Sequence, residues 1–147
     1  VDSTPKEAKL IKTARLVNDS KTEFVLEKIK NAVILSNKVK NKLTITCLGI
    51  TFKPNIDDLR ESPALLIARR VGKMGFSKQF IVEPNISEIP KGFDKDVTKL
   101  TDLEEAIKSA NIVVLLVDHS QFKKIDLNVL SSKYIIDTRG ILTENFC

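Results

Sequence analysis

Residues 43–50, LTITCLGI, form a short apolar run rich in β-branched side chains, and Ser62-Pro63 downstream opens a helical pattern. A run this short and this apolar reads as a strand buried on both faces of a parallel sheet. Ser62 reads as an N-cap and Pro63 as the first helical residue. The helix is expected to run from Pro63 to about Met74, with Ala64, Ile67, Ala68 and Val71 on one face and Gly75 as its stop. The alternation then continues. QFIVEP reads as a strand, Thr101-Asp102-Leu103-Glu104 as a capping box opening a helix with Leu103, Ala106, Ile107 and Ala110 inward, IVVLLV as a central strand and KYIIDT as the last one. Successive strand–helix–strand units predict an α/β fold, a Rossmann-like parallel sheet with helices on both faces. At 147 residues the chain is one domain's worth of core.

The first 38 residues follow a different rule. Thr4-Pro5-Lys6-Glu7 is a capping box with proline at the first helical position. Leu10, Ala14 and Val17 fall at helical spacing, and a stripe continues from Phe24 through Val25, Ile29, Ala32 and Val33. Asn18-Asp19-Ser20 interrupts it, and Ser20 to Glu23 repeats the S-x-x-E pattern, which suggests a kink or a restart. Residues 5–38 would span roughly 50 Å as one helix. A domain of the remaining size cannot cover that length, so part of the apolar face is expected to meet another surface. The division is a helical connector and association segment, 1–38, and a ligand-binding domain, 42–147.

In open α/β sheets, ligands sit beyond the carboxyl ends of the strands. The loop after the first strand places Lys53 and Arg60 there, beside backbone N–H groups and a positive helix terminus, which suits a phosphate. Arg139, in DTRG after the last strand, is a second such cation, expected at a strand end adjacent to that of Lys53. Asp57 and Asp58 read as residues that shape the loop and orient Lys53 and Arg60, with an ion pair from Arg60 to Asp57, Asp58 or Glu61 as the plainer alternative. His119, the only histidine, follows the central strand. It reads either as a catalytic group or as a structural loop residue positioning Gln121 and Phe122, the second being preferred. Glu83-Pro84-Asn85 reads as a shaping turn.

The formal net charge of +5 raises the question of nucleic acid. The lysines concentrate in the first 42 residues among helical apolar positions, and aromatic residues that could stack on bases are scattered, so a solvated helix face is expected and no nucleic-acid partner. No run of about 18 apolar residues exists and no signal peptide opens the chain, so it is expected to avoid membranes and to be cytoplasmic. Two cysteines, Cys47 inside a strand and Cys147 in the tail, make neither a metal spacing nor a disulfide framework. Position 1 is not methionine and Met74 is the only one, so the chain is expected to be a processed product or a piece of something longer.

FKPNIDDLRESPA, VEPNI, VDHSQFK and the final DTRG carry a family resemblance that spans about residues 43–140. The chain resembles the C-terminal, UDP-binding domain of the UDP-glucose/GDP-mannose dehydrogenase family, and within it the branch that oxidises UDP-N-acetyl-D-mannosamine to the uronic acid. The resemblance implies that Phe52, Lys53 and Arg139 contact the UDP-sugar and that Arg60 reaches NAD across the cleft between domains. Some members carry lysine where Arg139 stands. It also implies a homodimer through the Thr4 to Val39 segment. The family's cysteine nucleophile belongs to a glycine-rich loop ending in C-F/L-P-K-D. Neither that motif nor a G-x-G-x-x-G occurs here, so no catalytic residue and no turnover are expected of this chain alone. A UDP-glucose-type domain of the same family, and a stand-alone nucleotide-binding or interaction module, are the alternatives.

Overall fold

The computed structural model describes residues 5–142 except Ile56 and Glu61, with side chains from residue 21 onward. Five strands, β1 (Thr44–Leu48), β2 (Lys78–Val82), β3 (Thr98–Leu100), β4 (Ile112–Leu115) and β5 (Tyr134–Asp137), form one sheet in the order β3-β2-β1-β4-β5. Every pairing is parallel. The chain therefore starts in the middle of the sheet, winds out to one edge, and returns past β1 to build the other. The expected Rossmann-like architecture is the observed one.

β1 is the central strand and β4 its neighbour, with β5 rather than β4 leading to the edge. β3 has no counterpart in the sequence reading: its three residues are too few to show a period. Helix α1 runs over Pro5–Ser36, α2 over Pro63–Gly72 and α3 over Leu103–Ser109. Short 3-10 turns at Ser120–Lys124 and Leu127–Leu130 take the place of a helix between β4 and β5.

One face of the sheet is covered by α1 and α2, where Val25, Leu26, Ile29 and Ala32 join Ala64, Ile67, Ala68 and Val71 over Ile45, Cys47, Val114 and Ile136. The other face carries α3 and the 3-10 turns, with Ala106, Ile107, Phe122 and Leu130 over Leu48, Val113 and Leu115. Ser62 caps α2 as expected: its hydroxyl accepts from Leu65 N–H at 3.1 Å and donates to Ile50 O at 2.8 Å, tying the helix start to the end of β1. The α3 cap is Asp102 rather than Thr101. Asp102 Oδ1 accepts from Glu105 N–H at 2.8 Å, while the Thr101 hydroxyl bonds the Glu105 carboxylate.

Helix α1 passes through Asn18-Asp19-Ser20 without a restart, because tertiary packing of the following turns outweighs weak local helix formers. The Thr4 cap and the tail cysteine lie outside the described residues, as do the side chains of Leu10, Ala14 and Val17. Phe24 does not belong to the buried stripe; it is 62% exposed, as are Ile34 at 74% and Leu35 at 70%. Tyr134 donates its hydroxyl to Leu35 O at 3.0 Å, fastening the end of α1 to the sheet, and Arg70 pairs with Glu23, fastening its middle to α2.

Candidate functional site

The register puts Gly49, Glu83, Leu116 and Thr138 one step beyond the paired ends of β1, β2, β4 and β5, at one rim of the sheet. Between β1 and β4 the connections run to opposite sides, the switch point where such sheets open a crevice. Gly49 makes the crossing close. Its φ is +86°, and a Cβ there would lie 2.6 Å from Val117 Cβ. Any side chain would push the β1 and β4 extensions apart.

A cleft of about 880 Å³ opens on this rim against α1. Phe52 and Arg139 line it with Thr51, Thr138, Tyr134 and, from α1, Lys21, Phe24 and Lys28. Lys53 is exposed beside it, its ammonium 5.8 Å from the centre of the Phe52 ring. The structure therefore brings Phe52 and Arg139 to one cleft with Lys53 next to Phe52. It corrects the expectation of adjacent strand ends: β4 lies between β1 and β5, so Lys53 and Arg139 approach from either side of that strand. Asp137 shapes the turn that carries Arg139, accepting from the N–H groups of Arg139 at 2.9 Å, Gly140 at 2.7 Å and Leu142 at 2.6 Å. The Arg139 guanidinium lies 3.6 Å from Asp118 Oδ1 in a partly exposed pair beside the cleft.

Arg60 stands apart from the cleft lining, with its side chain 89% exposed and forked onto Asp58 at 3.1 and 3.2 Å. Those side-chain hydrogen bonds, with the Arg60 N–H next, hold the Asp58 carboxyl below its usual pKa. Asp58 shapes the loop at both ends, its carboxylate on Arg60 and its carbonyl accepting from Phe52 N–H at 2.8 Å. The helix start offers fewer donors than the sequence implies, since Pro63 has no N–H and that of Leu65 is taken by Ser62. Cys47 is fully buried, and desolvation pushes its thiol up to about 12, against a lesser downward pull from Gln79, so it is a packing residue with no nucleophilic role. Among the described residues no cluster of His, Cys, Asp or Glu is arranged to hold a metal, and no helix is long and apolar enough to cross a membrane.

What the sequence reading missed is beneath the loop. His119 and Glu83 are both buried and bonded to each other, Nε2 to Oε1 at 2.8 Å. Phe122 packs edge-on against the His119 ring at 5.4 Å and donates its N–H to His119 O at 2.9 Å, while the ring's hydrogen bonds go to Glu83, Thr51 and Asn55. Glu83 is more than a turn former, since its carboxylate also accepts from Ile50 and Thr51 N–H at 2.9 and 3.2 Å. Burial alone would raise its pKa; the bonds from His119 and Ile50 more than reverse this and hold it below the usual value. The available signal was a carboxylate at a strand end in a run of otherwise buried positions.

The sequence pattern of the UDP binding domain of the UDP-glucose/GDP-mannose dehydrogenase family matches residues 46–144, which include the rim loops just described. The chain belongs to this family. It is 43% identical over 145 residues to the UDP-N-acetyl-D-mannosamine dehydrogenase of Escherichia coli K12, covering 96% of this chain and 34% of that protein. It is 44% identical over 141 residues to the NDP-N-acetyl-D-galactosaminuronic acid dehydrogenase of Ralstonia solanacearum, covering 96% and 32%. The UDP-D-ManNAc dehydrogenase structure from Pyrococcus horikoshii superposes with a TM-score of 0.73 at 26% identity, covering 92% of this chain and 31% of that one. The chain thus spans about a third of the length of the curated relatives it matches.

Proposed function

We propose that this domain forms the UDP-sugar-binding wall of an NAD-dependent dehydrogenase that oxidises the C6 alcohol of UDP-N-acetyl-D-mannosamine to the carboxylate. The observation that carries the reading is the cleft at the carboxyl rim, where an apolar wall containing Phe52 meets cations from two sides, Arg139 after β5 and Lys21 and Lys28 on α1. A nucleoside diphosphate has that composition, a flat base and ribose joined to a dianion. In this reading Phe52 supports the nucleotide, Lys53 and Arg139 neutralise the diphosphate, and neither takes part in bond making. The acetamido sugar rests on the relatives, whose names differ in the hexosamine but share an N-acetyl group.

NAD accepts the hydride in each of the two oxidations that turn the alcohol into an acid. This chain's contribution to it is Arg60, whose exposed guanidinium fits one contact to an anionic cofactor from across a cleft. The rest of that pocket, and the nucleophile, are assigned to sequence that this chain does not include. The exposed Ile34 and Leu35 on α1 support a homodimer through that helix, located with the enzyme in the cytoplasm.

Titration of the chain with UDP, followed by calorimetry and by amide shifts, tests the reading. Weak binding with shifts in residues 52–60, lost on Lys53→Ala and on Arg139→Ala, is the expected outcome. No shift in this loop at millimolar UDP sinks it. The pure chain should produce no NADH from NAD and any UDP-sugar, and steady production would overturn the placing of the catalytic groups elsewhere. Ile34→Glu with Leu35→Glu should make the chain monomeric by sedimentation; a wild-type chain already monomeric at 100 μM, roughly a hundred times a micromolar Kd, would end the dimer reading.

A further inference from the structure

We propose that His119 and Glu83 are positioning residues for the UDP-sugar, acting as a buried latch that sets the geometry of the loop carrying Phe52 and Lys53. The proposal rests on the reading of the rim cleft as the UDP site. Glu83 uses its whole carboxylate on groups at this rim: Oε1 accepts from Ile50 N–H, Thr51 N–H and His119 Nε2, and Oε2 from the backbone and side-chain amides of Asn85. Burying a carboxylate is costly, and an apolar side chain would fill the same space without that cost. What an apolar side chain cannot do is hold several N–H groups of a surface loop in fixed directions.

His119 completes the latch. Asn55 N–H donates to Nδ1 at 2.8 Å, so Nδ1 carries the lone pair and the proton sits on Nε2, directed at Glu83 Oε1 with Thr51 Oγ1 at 3.3 Å. The Thr51 hydroxyl in turn donates to Lys53 O at 2.9 Å. Asn55 has φ +62° and its Oδ1 accepts from Ser120 N–H at 3.0 Å, so this left-handed residue two past Lys53 is held at both its backbone and its side chain. Among the described residues, Glu83 is the charged group bonded to the ring, and the carboxylate of Asp118, the preceding residue, lies 3.6 Å from the Arg139 guanidinium. One pair of buried side chains thus fixes the backbone on each side of Lys53, and the neighbouring residue meets the other cation of the site.

The two ring nitrogens can be removed separately. Asparagine places an oxygen where Nδ1 stands and keeps the acceptor for Asn55, whereas glutamine places an amide where Nε2 stands and keeps only the donor for Glu83. Calorimetric titration of the full chain with UDP should show His119→Gln about tenfold weaker and His119→Asn within about threefold of wild type, the first being the loss of one loop-fixing hydrogen bond. Side-chain nitrogen NMR of the wild type should show the Nε2–H tautomer, with slow exchange of the Asn55 amide that becomes fast in His119→Gln. Equal affinity in wild type and His119→Gln, equal loss in both variants, or a proton on Nδ1 in the wild type overturns the latch. A wild-type chain that fails to bind UDP ends the UDP reading and the latch with it; a wild-type chain that binds while His119→Gln binds equally ends the latch alone.

Discussion

The two ends of β2 each carry a buried polar residue, and they do opposite things. Gln79, near the start, is fully buried; it donates to Ala68 O at 2.8 Å in α2, accepts from the Thr98 hydroxyl at 2.7 Å in β3, and reaches Cys47 Sγ at 3.6 Å in β1. Its partners all belong to regular elements, so it locks helix to sheet. Glu83, just past the end, sends its bonds to Ile50, Thr51, His119 and Asn85, none of them within a strand or α-helix. Similar side chains four residues apart thus serve core register at one end and loop geometry at the other. The difference is that sheet and helix already satisfy their own backbone, whereas the rim loops have no ladder and depend on side chains for it.

Breaking both clusters separates the roles. Glu83→Ala leaves buried N–H groups and His119 without an acceptor and should cost about 3 kcal/mol in denaturant unfolding, with amide shifts spreading through residues 50–55 and 119–120. Gln79→Leu should cost about 2 kcal/mol, from the Thr98 hydroxyl left without its acceptor and the lost tie from β2 to Ala68 O of α2, and leave those loop amides and UDP binding unmoved. If Gln79→Leu perturbs the loop as much as Glu83→Ala does, the two ends are one cooperative unit and the comparison fails.

Acid sharpens the contrast, because only one cluster carries a charge. The folded pKa of Glu83 lies below its ordinary value of 4.5, so its stabilisation is fully present above that value and is lost as pH falls through the lower, folded one. Unfolding curves of wild type and Glu83→Gln should therefore converge on acidification, while wild type and Gln79→Leu keep a constant gap. The smallest effect is chemical. With its thiol pushed up to about 12, Cys47 should stay unlabelled by thiol reagents near neutral pH in the folded chain, as read by peptide mapping, and in Glu83→Ala as well, since that change acts at the far end of β2. Rapid labelling of Cys47 in the native protein would show that the Gln79 end opens.

Strand, loop and helix around residues 43–74 were legible from pattern alone, because a parallel strand has to be apolar on both faces and a helix start has a local chemical signature in Ser62-Pro63. The cations Lys53 and Arg139 were legible as residues following strand ends, and Arg60 as the one just before the α2 cap. β3 was not, being too short to have a period, nor was the continuity of α1, which packing decides against local propensity. The sequence by itself determined the alternation of the longer strands with α2 and α3 and the charge at the rim. Only the tertiary structure decided that Phe52 and Arg139 share a cleft while Arg60 lies apart from it, and that β4 separates the ends of β1 and β5. It alone also joined Glu83 to His119 across 36 positions, since a hydrogen bond between distant residues leaves no periodic trace and exists only once the strands that carry them are brought to one rim.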